Sequence, residues 1–371
     1  LSDEELDGVL GLVARENGRR TPTVAGLLTI GREQALRQYL PPHEVAVQDL
    51  TEARAVRLND FTRRPLLEVF ERVYEQVFSA RVVEEELQVG LFRVPVPNYD
   101  RRAFREGFVN ALIHRDYTRL GAVHIRWEAD GLTLSNPGGF VEGVTLDNLI
   151  VTEPRPRNPR LADIMKRVGI AERTARGVDL IYQGLLRYGR PAPDYSASGS
   201  ATVVLRLSSG AADLPFIELI LEEERRLGTP MPVDSLIVLS ELRAATRLNI
   251  EEVARAIQKN DVAARGVMGR LVEAGLVQMH GTGVHREYTL SVAAYRRLGQ
   301  TSPFSLADQE RLVLEHVRQR GRITRQEAAD LCRLSLDQAS RLLRRLADQN
   351  LLTPPQRSGR GAHYTLPGSS V

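Results

Sequence analysis

The strongest constraint on the fold is an internal repeat: sliding the chain on itself by 75 positions aligns residues 235 to 276 with 310 to 351 without a gap. The matches fall on apolar positions spaced for three short helices, Val238 and Leu239 with Val313 and Leu314, Ala254 with Ala329, and Leu271 with Leu346. Both second helices open on a capping box, Asn249-Ile-Glu-Glu252 and Thr324-Arg-Gln-Glu327, in which the first side chain accepts from the helix amides while the glutamate reaches back. Third helices are expected to start after Asn260 and Ser335, and to stop at Gly275 and Asn350, residue types that tolerate a left-handed backbone. A hairpin follows each, over residues 276 to 290 and 351 to 366, and both end in Tyr-Thr-Leu; one extra residue in the second is the only slip.

Three helices followed by a two-stranded wing is the winged form of the helix-turn-helix, whose third helix fits the major groove of double-stranded DNA. The pattern resembles bacterial winged-helix regulators. Modules of this shape also dock proteins, and surface chemistry separates the two uses. In the second copy Leu336, Ala339, Leu342, Leu343 and Leu346 form the apolar stripe of the third helix, which turns Gln338, Arg341 and Arg345 outward, with Arg344 in the same run. Gln and Arg read adenine and guanine edges bidentately. The wing adds Arg357, Arg360 and His363 beside Gly359 and Gly361. Residues 301 to 371 hold 11 arginines against 7 acids, an imbalance that a merely solvated face would not need. In the first copy Gly266 and Gly269 align with Arg341 and Arg344, leaving Arg265, Arg270 and Lys259 with the wing residues His285 and Arg286. The first copy is therefore expected to be the weaker reader, packing against its twin or a second subunit.

Composition narrows the rest. The 371 residues suffice for two to four domains. No stretch approaches the ~18 apolar residues of a membrane span, and the start lacks a secretory pattern, so a cytoplasmic, nucleoid-associated location is expected. The single cysteine, Cys332, excludes an intrachain disulfide. Lys166 and Lys259 are the only lysines and follow Met165 and Gln258, so no P-loop helicase motor is present. Because the chain begins at Leu1, a segment upstream is expected to be missing.

Residues 95 to 208 alternate strand and helix patterns: a helix over 100 to 114, strands over 122 to 127 and 132 to 135, helices near 160 to 168 and 178 to 186, and a strand over 202 to 207. Glu106 and Asn110 lie one turn apart on one helix face, a pair able to activate a water and hold a hydrated Mg²⁺. Ser135-Asn136-Pro137-Gly138-Gly139 ends a strand where backbone can approach a ligand, and Gly177 opens a later helix. Alone, a Glu and Asn on one helix are more often surface or capping residues, and Pro-Gly-Gly after a strand is usually a turn.

Together, the run from Arg105-Glu106 through Asn110 to His114-Arg115-Asp116-Tyr117, then Ser-Asn-Pro-Gly-Gly, then Pro156-Arg157-Asn158-Pro159, resembles the divergent GHKL ATPase-like domain of bacterial regulators with a Schlafen AlbA-type N-terminal domain. These proteins are often labelled helicase-related or transcriptional regulators. Residues 22 to 31 and Tyr39-Leu-Pro-Pro42 look like the tail of the AlbA-type domain. The resemblance implies ATP with Mg²⁺ as cofactor and a homodimer. It makes Glu106 the water-activating base, Asn110 the Mg²⁺ ligand, and Asn136, Gly138, Gly139 and Gly177 nucleotide contacts. Two departures stand out: Asn136 replaces the family's adenine-reading aspartate, and Ala175-Arg176-Gly177 replaces a Gly-x-Gly loop. His114-Arg115-Asp116 lacks the other kinase motifs and reads as structural.

The expected architecture is α+β and multidomain: an AlbA-type remnant with connecting helices over 1 to 90, a GHKL-like α/β sandwich over 91 to 210, and two tandem winged helices over 215 to 298 and 303 to 371. Three functions remain open. The first is a transcriptional regulator that binds double-stranded DNA, with the central domain as an adenine-nucleotide sensor or dimerising switch. The second is a weak GHKL-type ATPase in DNA repair. The third is a protein-interaction scaffold, favoured if the outward arginines are paired with acids.

Overall fold

A computed structural model describes residues 2–52, 57–89, 92–171, 177–245, 247–280, 286–298, 306–332, 334, 336–355 and 362–368. They divide into two compact units, one of residues 1–240 with 254–260, the other of residues 241–253 with 261–371.

The first unit opens with α1 (Asp3–Val9), a hairpin β1 (Val13–Glu16) and β2 (Arg19–Pro22), then α2 (Val24–Ile30), α3 (Glu33–Tyr39), β3 (Val45–Asp49), β4 (Leu58–Thr62) and α4 (Leu66–Glu71). A wider, π-type run over Arg72–Phe78 continues α4, and a second hairpin pairs β5 (Glu84–Val89) with β6 (Phe92–Pro97). Next come α5 (Arg101–His114), β7 (Val123–Glu128), β8 (Gly131–Pro137), α6 (Pro159–Arg167), α7 (Gly177–Leu186), β9 (Thr202–Ser208) and α8 (Leu214–Leu227).

Five strands form one mixed sheet in the order β4-β3-β7-β8-β9. Only β3 and β7 run parallel, Val45 opposite Val123 and Asp49 opposite Trp127. The boundary expected at residue 91 is therefore corrected. Two strands of the central sheet come from residues 45 to 62, the β5-β6 hairpin straddles 90 and 91, and one core runs from Leu12 to Leu207. The sequence hid this because a parallel pair is joined by a long crossover and leaves no local turn signal.

Aromatic spacing fixes α5. Phe70, Tyr74 and Phe78 recur every four residues, as do Phe104 and Phe108, so each set lines one helix face. The faces stack, Phe78 on Phe104 with centroids 3.9 Å apart and Phe70 on Phe108 at 5.8 Å. Asp100 caps the helix, accepting from the N–H groups of Arg102 and Ala103. Below, Gly107 lets α5 lie close on the sheet: a Cβ there would stand 2.8 Å from Leu134 and 2.9 Å from Leu205.

Through the second unit the chain runs α9 (Val233–Ala245), β10 (Leu248–Asn249), α10 (Ile250–Ala256), α11 (Asp261–Glu273), β11 (Val277–His280), β12 (Glu287–Leu290) and α12 (Val292–Arg297), with residues before 241 and from 254 to 260 belonging to the first unit. Then follow α13 (Leu306–Arg320), β13 (Arg322–Thr324), α14 (Arg325–Cys332), α15 (Leu336–Asp348) and β14 (His363–Thr365). Both capping boxes form, Asn249 with Glu252 and Thr324 with Glu327, each reciprocal. Gly275 and Asn350 both take positive φ, at 71° and 57°.

Strand register repeats with the sequence. Leu248 faces Tyr288 and Gln278 faces Thr289; 75 and 76 positions later Ile323 faces Tyr364 and Thr353 faces Thr365. The one-residue slip therefore lies between Thr353 and His363, outside the paired positions. Leu336 departs from expectation: it stands in the first turn of α15 and is 41% exposed, while Ala339, Leu342, Leu343 and Leu346 are buried.

Candidate functional site

In the first unit a cavity of about 220 Å³ is walled by α5, β8, the start of α7 and the loop after β8. Glu106, Asn110 and His114 recur every four residues on α5 and all three line it. Glu106 is 3% exposed and lies 3.6 Å from the Arg105 guanidinium. Gly177 closes over the pair: a Cβ there would stand 2.9 Å from Glu106 Oε2 and 3.5 Å from Asn110 Nδ2. Only glycine lets the start of α7 approach this close without displacing the carboxylate. Ala175 and Arg176 lie outside the described residues.

Asn136 reaches the cavity from β8, 3% exposed, its Nδ2 donating to the Pro137 carbonyl at 3.2 Å. Gly139 also lines the cavity. Gly138 is not one of its lining residues. It sits against Asp116 at φ 95°, and the N–H groups of Gly138 and Gly139 donate to the Ala201 and Ser200 carbonyls. The expectation that this backbone is free for a ligand is therefore corrected, because it is committed to the neighbouring 200 to 202 segment.

The Pro156-Arg157-Asn158-Pro159 run has a structural task that its sequence did not reveal. Arg157 donates to the carbonyls of His114 and Gly139, and Asn158 Nδ2 donates to those of Ile113 and Arg115. Three of these, of Ile113, His114 and Arg115, are carbonyls at the end of α5, which lack helical partners. The strap ties that end to the Gly139 turn, and His114 and Gly139 both line the cavity. Arg115 is fully buried and donates to the carbonyls of Pro42, Asp116, Arg119 and Gly121, so within the His-Arg-Asp run it is Arg115 that holds the fold, while His114 faces the cavity.

Sequence reasoning missed three lining residues. His114 is held neutral, since burial and the nearby Arg157 push its pKa down to about 4. Lys166 and Arg155 are cations on the cavity wall, suited to phosphate oxygens. The scarcity of lysine marked Lys166, but nothing in the spacing placed it on this wall. Among the described residues no cluster of His, Cys, Asp and Glu forms a metal site; a Mg²⁺ held with a nucleotide would have the Asn110 carboxamide for a ligand.

On α15, Arg341, Arg344 and Arg345 are exposed, as is Gln338, which makes contacts of its own. Arg345 pairs with Glu310 at 3.2 Å, whereas Arg341 and Arg344 have no acid partner among the described residues. In α11, Arg265 pairs with Asp261 at 3.4 Å, Arg270 is exposed, and ahead of the helix Lys259 pairs with Asp234 at 2.6 Å. Arg286 and His363 are half-buried; His285, Arg357 and Arg360 lie outside the described residues.

Residues 121–205, from the start of β7 into β9, match the family model described as "Putative ATP-dependent DNA helicase recG C-terminal". The match is to an ATPase-type domain, and it does not include α5. Over most of the chain the fold is similar to the crystal structure of the DIP2311 protein from Corynebacterium diphtheriae, with TM-score 0.64 and 24% identity. That likeness covers 81% of this chain and 60% of the other, so this chain spans well under the full length of that relative. No curated protein matches. No helix among the described residues is long and apolar enough to cross a membrane.

Proposed function

We propose that this chain is a DNA-binding regulator whose first unit binds an adenine nucleotide and whose repeated C-terminal modules are winged helices, the second of which contacts double-stranded DNA. The observation that carries the nucleotide half is the convergence of Glu106, Asn110 and Gly177 on one cavity, with Lys166 and Arg155 on its wall. Residues from α5, the loop after β8, α6 and the start of α7 meet there. The description of the family matched over 121–205 agrees with ATP as the ligand. The DNA half rests on Arg341 and Arg344, solvated guanidinium groups one turn apart on the helix that presents itself to the major groove in a winged helix. The pairing of Arg345 with Glu310 moves it from a reading to a supporting role.

A second reading, turnover of the nucleotide, is favoured by the burial of Glu106. A buried carboxylate on the cavity wall supports a role in taking a proton from an attacking water. Bound Mg²⁺ would neutralise phosphate charge there, and Asn110 would hold it. Calorimetry with Mg-ADP and Mg-ATP tests the nucleotide site. Fluorescence anisotropy against duplex DNA at graded salt tests the DNA site; absence of affinity at low salt would remove it.

A further inference from the structure

The loop after β8 is both a wall of the cavity and a partner of a distant segment. Val144, Leu149 and Ile150 face the cavity. The loop is shaped by Asn148, which accepts from the Thr145 N–H at 2.8 Å and donates to the Gly143 carbonyl at 2.9 Å. Its outer edge is held by Gln258, from the turn between α10 and α11. Gln258 Oε1 accepts from the Ile150 N–H at 2.8 Å, and Gln258 Nε2 donates to the Leu146 carbonyl at 2.7 Å. Both halves of one amide are thus spent on the backbone of one loop, 108 and 112 residues away in the chain.

Two further features show that this contact is built. Gln258 has φ 56°, a left-handed conformation uncommon for a residue with a long side chain. The adjoining Lys259 is fixed by its ion pair with Asp234. Residues 254–260 belong to the same compact unit as the cavity, although the helices on either side of this turn belong to a repeated module.

We propose that Gln258 is a positioning residue of the cavity: it fastens the 146–150 segment as a wall, and thereby ties the turn ahead of α11 to whatever fills the cavity. Only the identity of that occupant rests on the nucleotide reading above. The turn between the second and third helices of the first module is then occupied by the cavity loop, which gives that copy a task other than reading DNA.

Hydrogen exchange on the full chain tests this with Gln258→Gly and Gln258→Asn. Glycine accepts the positive φ without strain, and asparagine tolerates it while its amide falls one methylene short. Without ligand, amides of 146–150 are expected to exchange about tenfold faster in both variants, as befits loss of two side-chain hydrogen bonds, while α5 amides stay unchanged. Unchanged exchange in 146–150, or an equal rise in α5, would overturn the assignment. Calorimetry with Mg-ADP is expected to show about tenfold weaker binding in both variants; equal affinity despite a loosened loop would overturn the link to the cavity. If the wild type binds no ADP, the nucleotide reading falls, and the role of Gln258 is decided by the ligand-free exchange alone.

Discussion

The two copies of the repeat share a skeleton and differ in what surrounds it. Both have reciprocal capping boxes, left-handed stops at Gly275 and Asn350, and the same cross-strand partners. Yet α15 carries Arg341 and Arg344 where α11 has Gly266 and Gly269, and the turn ahead of α11 holds Gln258 against the cavity loop. Caps, stops and buried apolar positions are required of any chain with this backbone, so they persist in both copies. Exposed positions are required by nothing in the fold and are free to follow function. A duplicated module with one arginine-bearing face and one tethered turn is consistent with one copy contacting DNA and the other coupled to a ligand site.

The largest expected effect tests whether cavity chemistry and DNA contact separate along that line. Glu106→Gln keeps size but exchanges one acceptor oxygen for an NH2 donor and removes the proton acceptor, so ATP hydrolysis should fall by about 10²- to 10⁴-fold. Nucleotide affinity and duplex binding should change little. A steady-state phosphate-release assay beside DNA anisotropy gives both readings, and retained turnover would remove Glu106 as the base.

Next in size is an acid sensitivity that belongs to the cavity side. His114 has a folded pKa of about 4, below its ordinary value near 6.5, so between those values the unfolded chain binds more protons. Its contribution is complete above pH 6.5 and is lost as pH falls toward 4, on the order of 3 kcal/mol over that window. Burial also depresses the pKa of His43, which acts in the same direction. Thermal melts at pH 7.5 and 5 should show the drop, and His114→Asn should show a smaller one. An equal drop in the variant would mean that His114 is solvated and ionises freely.

How much of this was legible in the sequence follows from the range of the interactions. Helix ends were readable because Asn249 with Glu252 and Thr324 with Glu327 act within four residues. The α5 pair was readable because Glu106 and Asn110 share a helix face whatever packs on it. The boundary near residue 91 was misplaced because β3 meets β7 across more than seventy residues. Gly138 looked available because a Gly-Gly turn says nothing of the segment it lies against, here Ser200 and Ala201. Periodicity puts Leu336 in the apolar stripe, but at the first turn of α15 it is 41% exposed.

The comparison of the copies is sharpened by removing charge from the second. Arg341→Ala with Arg344→Ala should weaken duplex binding about tenfold or more and reduce the slope of log affinity against log salt by about 2, one for each lost phosphate contact. If specificity falls while the slope holds, the pair reads bases instead. Arg345→Ala alone should cost less, since Glu310 already balances its charge.

The smallest expected effect decides whether the copies really differ. Arg265→Ala with Arg270→Ala removes as many arginines from α11, but Arg265 is already paired with Asp261 and the two glycines leave no adjoining cations to extend the field. Exposed pairs contribute little, so duplex affinity should change by no more than about twofold. The salt slope should fall by less than about 1. A loss equal to that of the α15 pair would make both copies DNA readers. The tether at Gln258 would then have to be compatible with α11 entering a groove, and anisotropy with Gln258→Gly would show whether releasing the turn strengthens or weakens that contact.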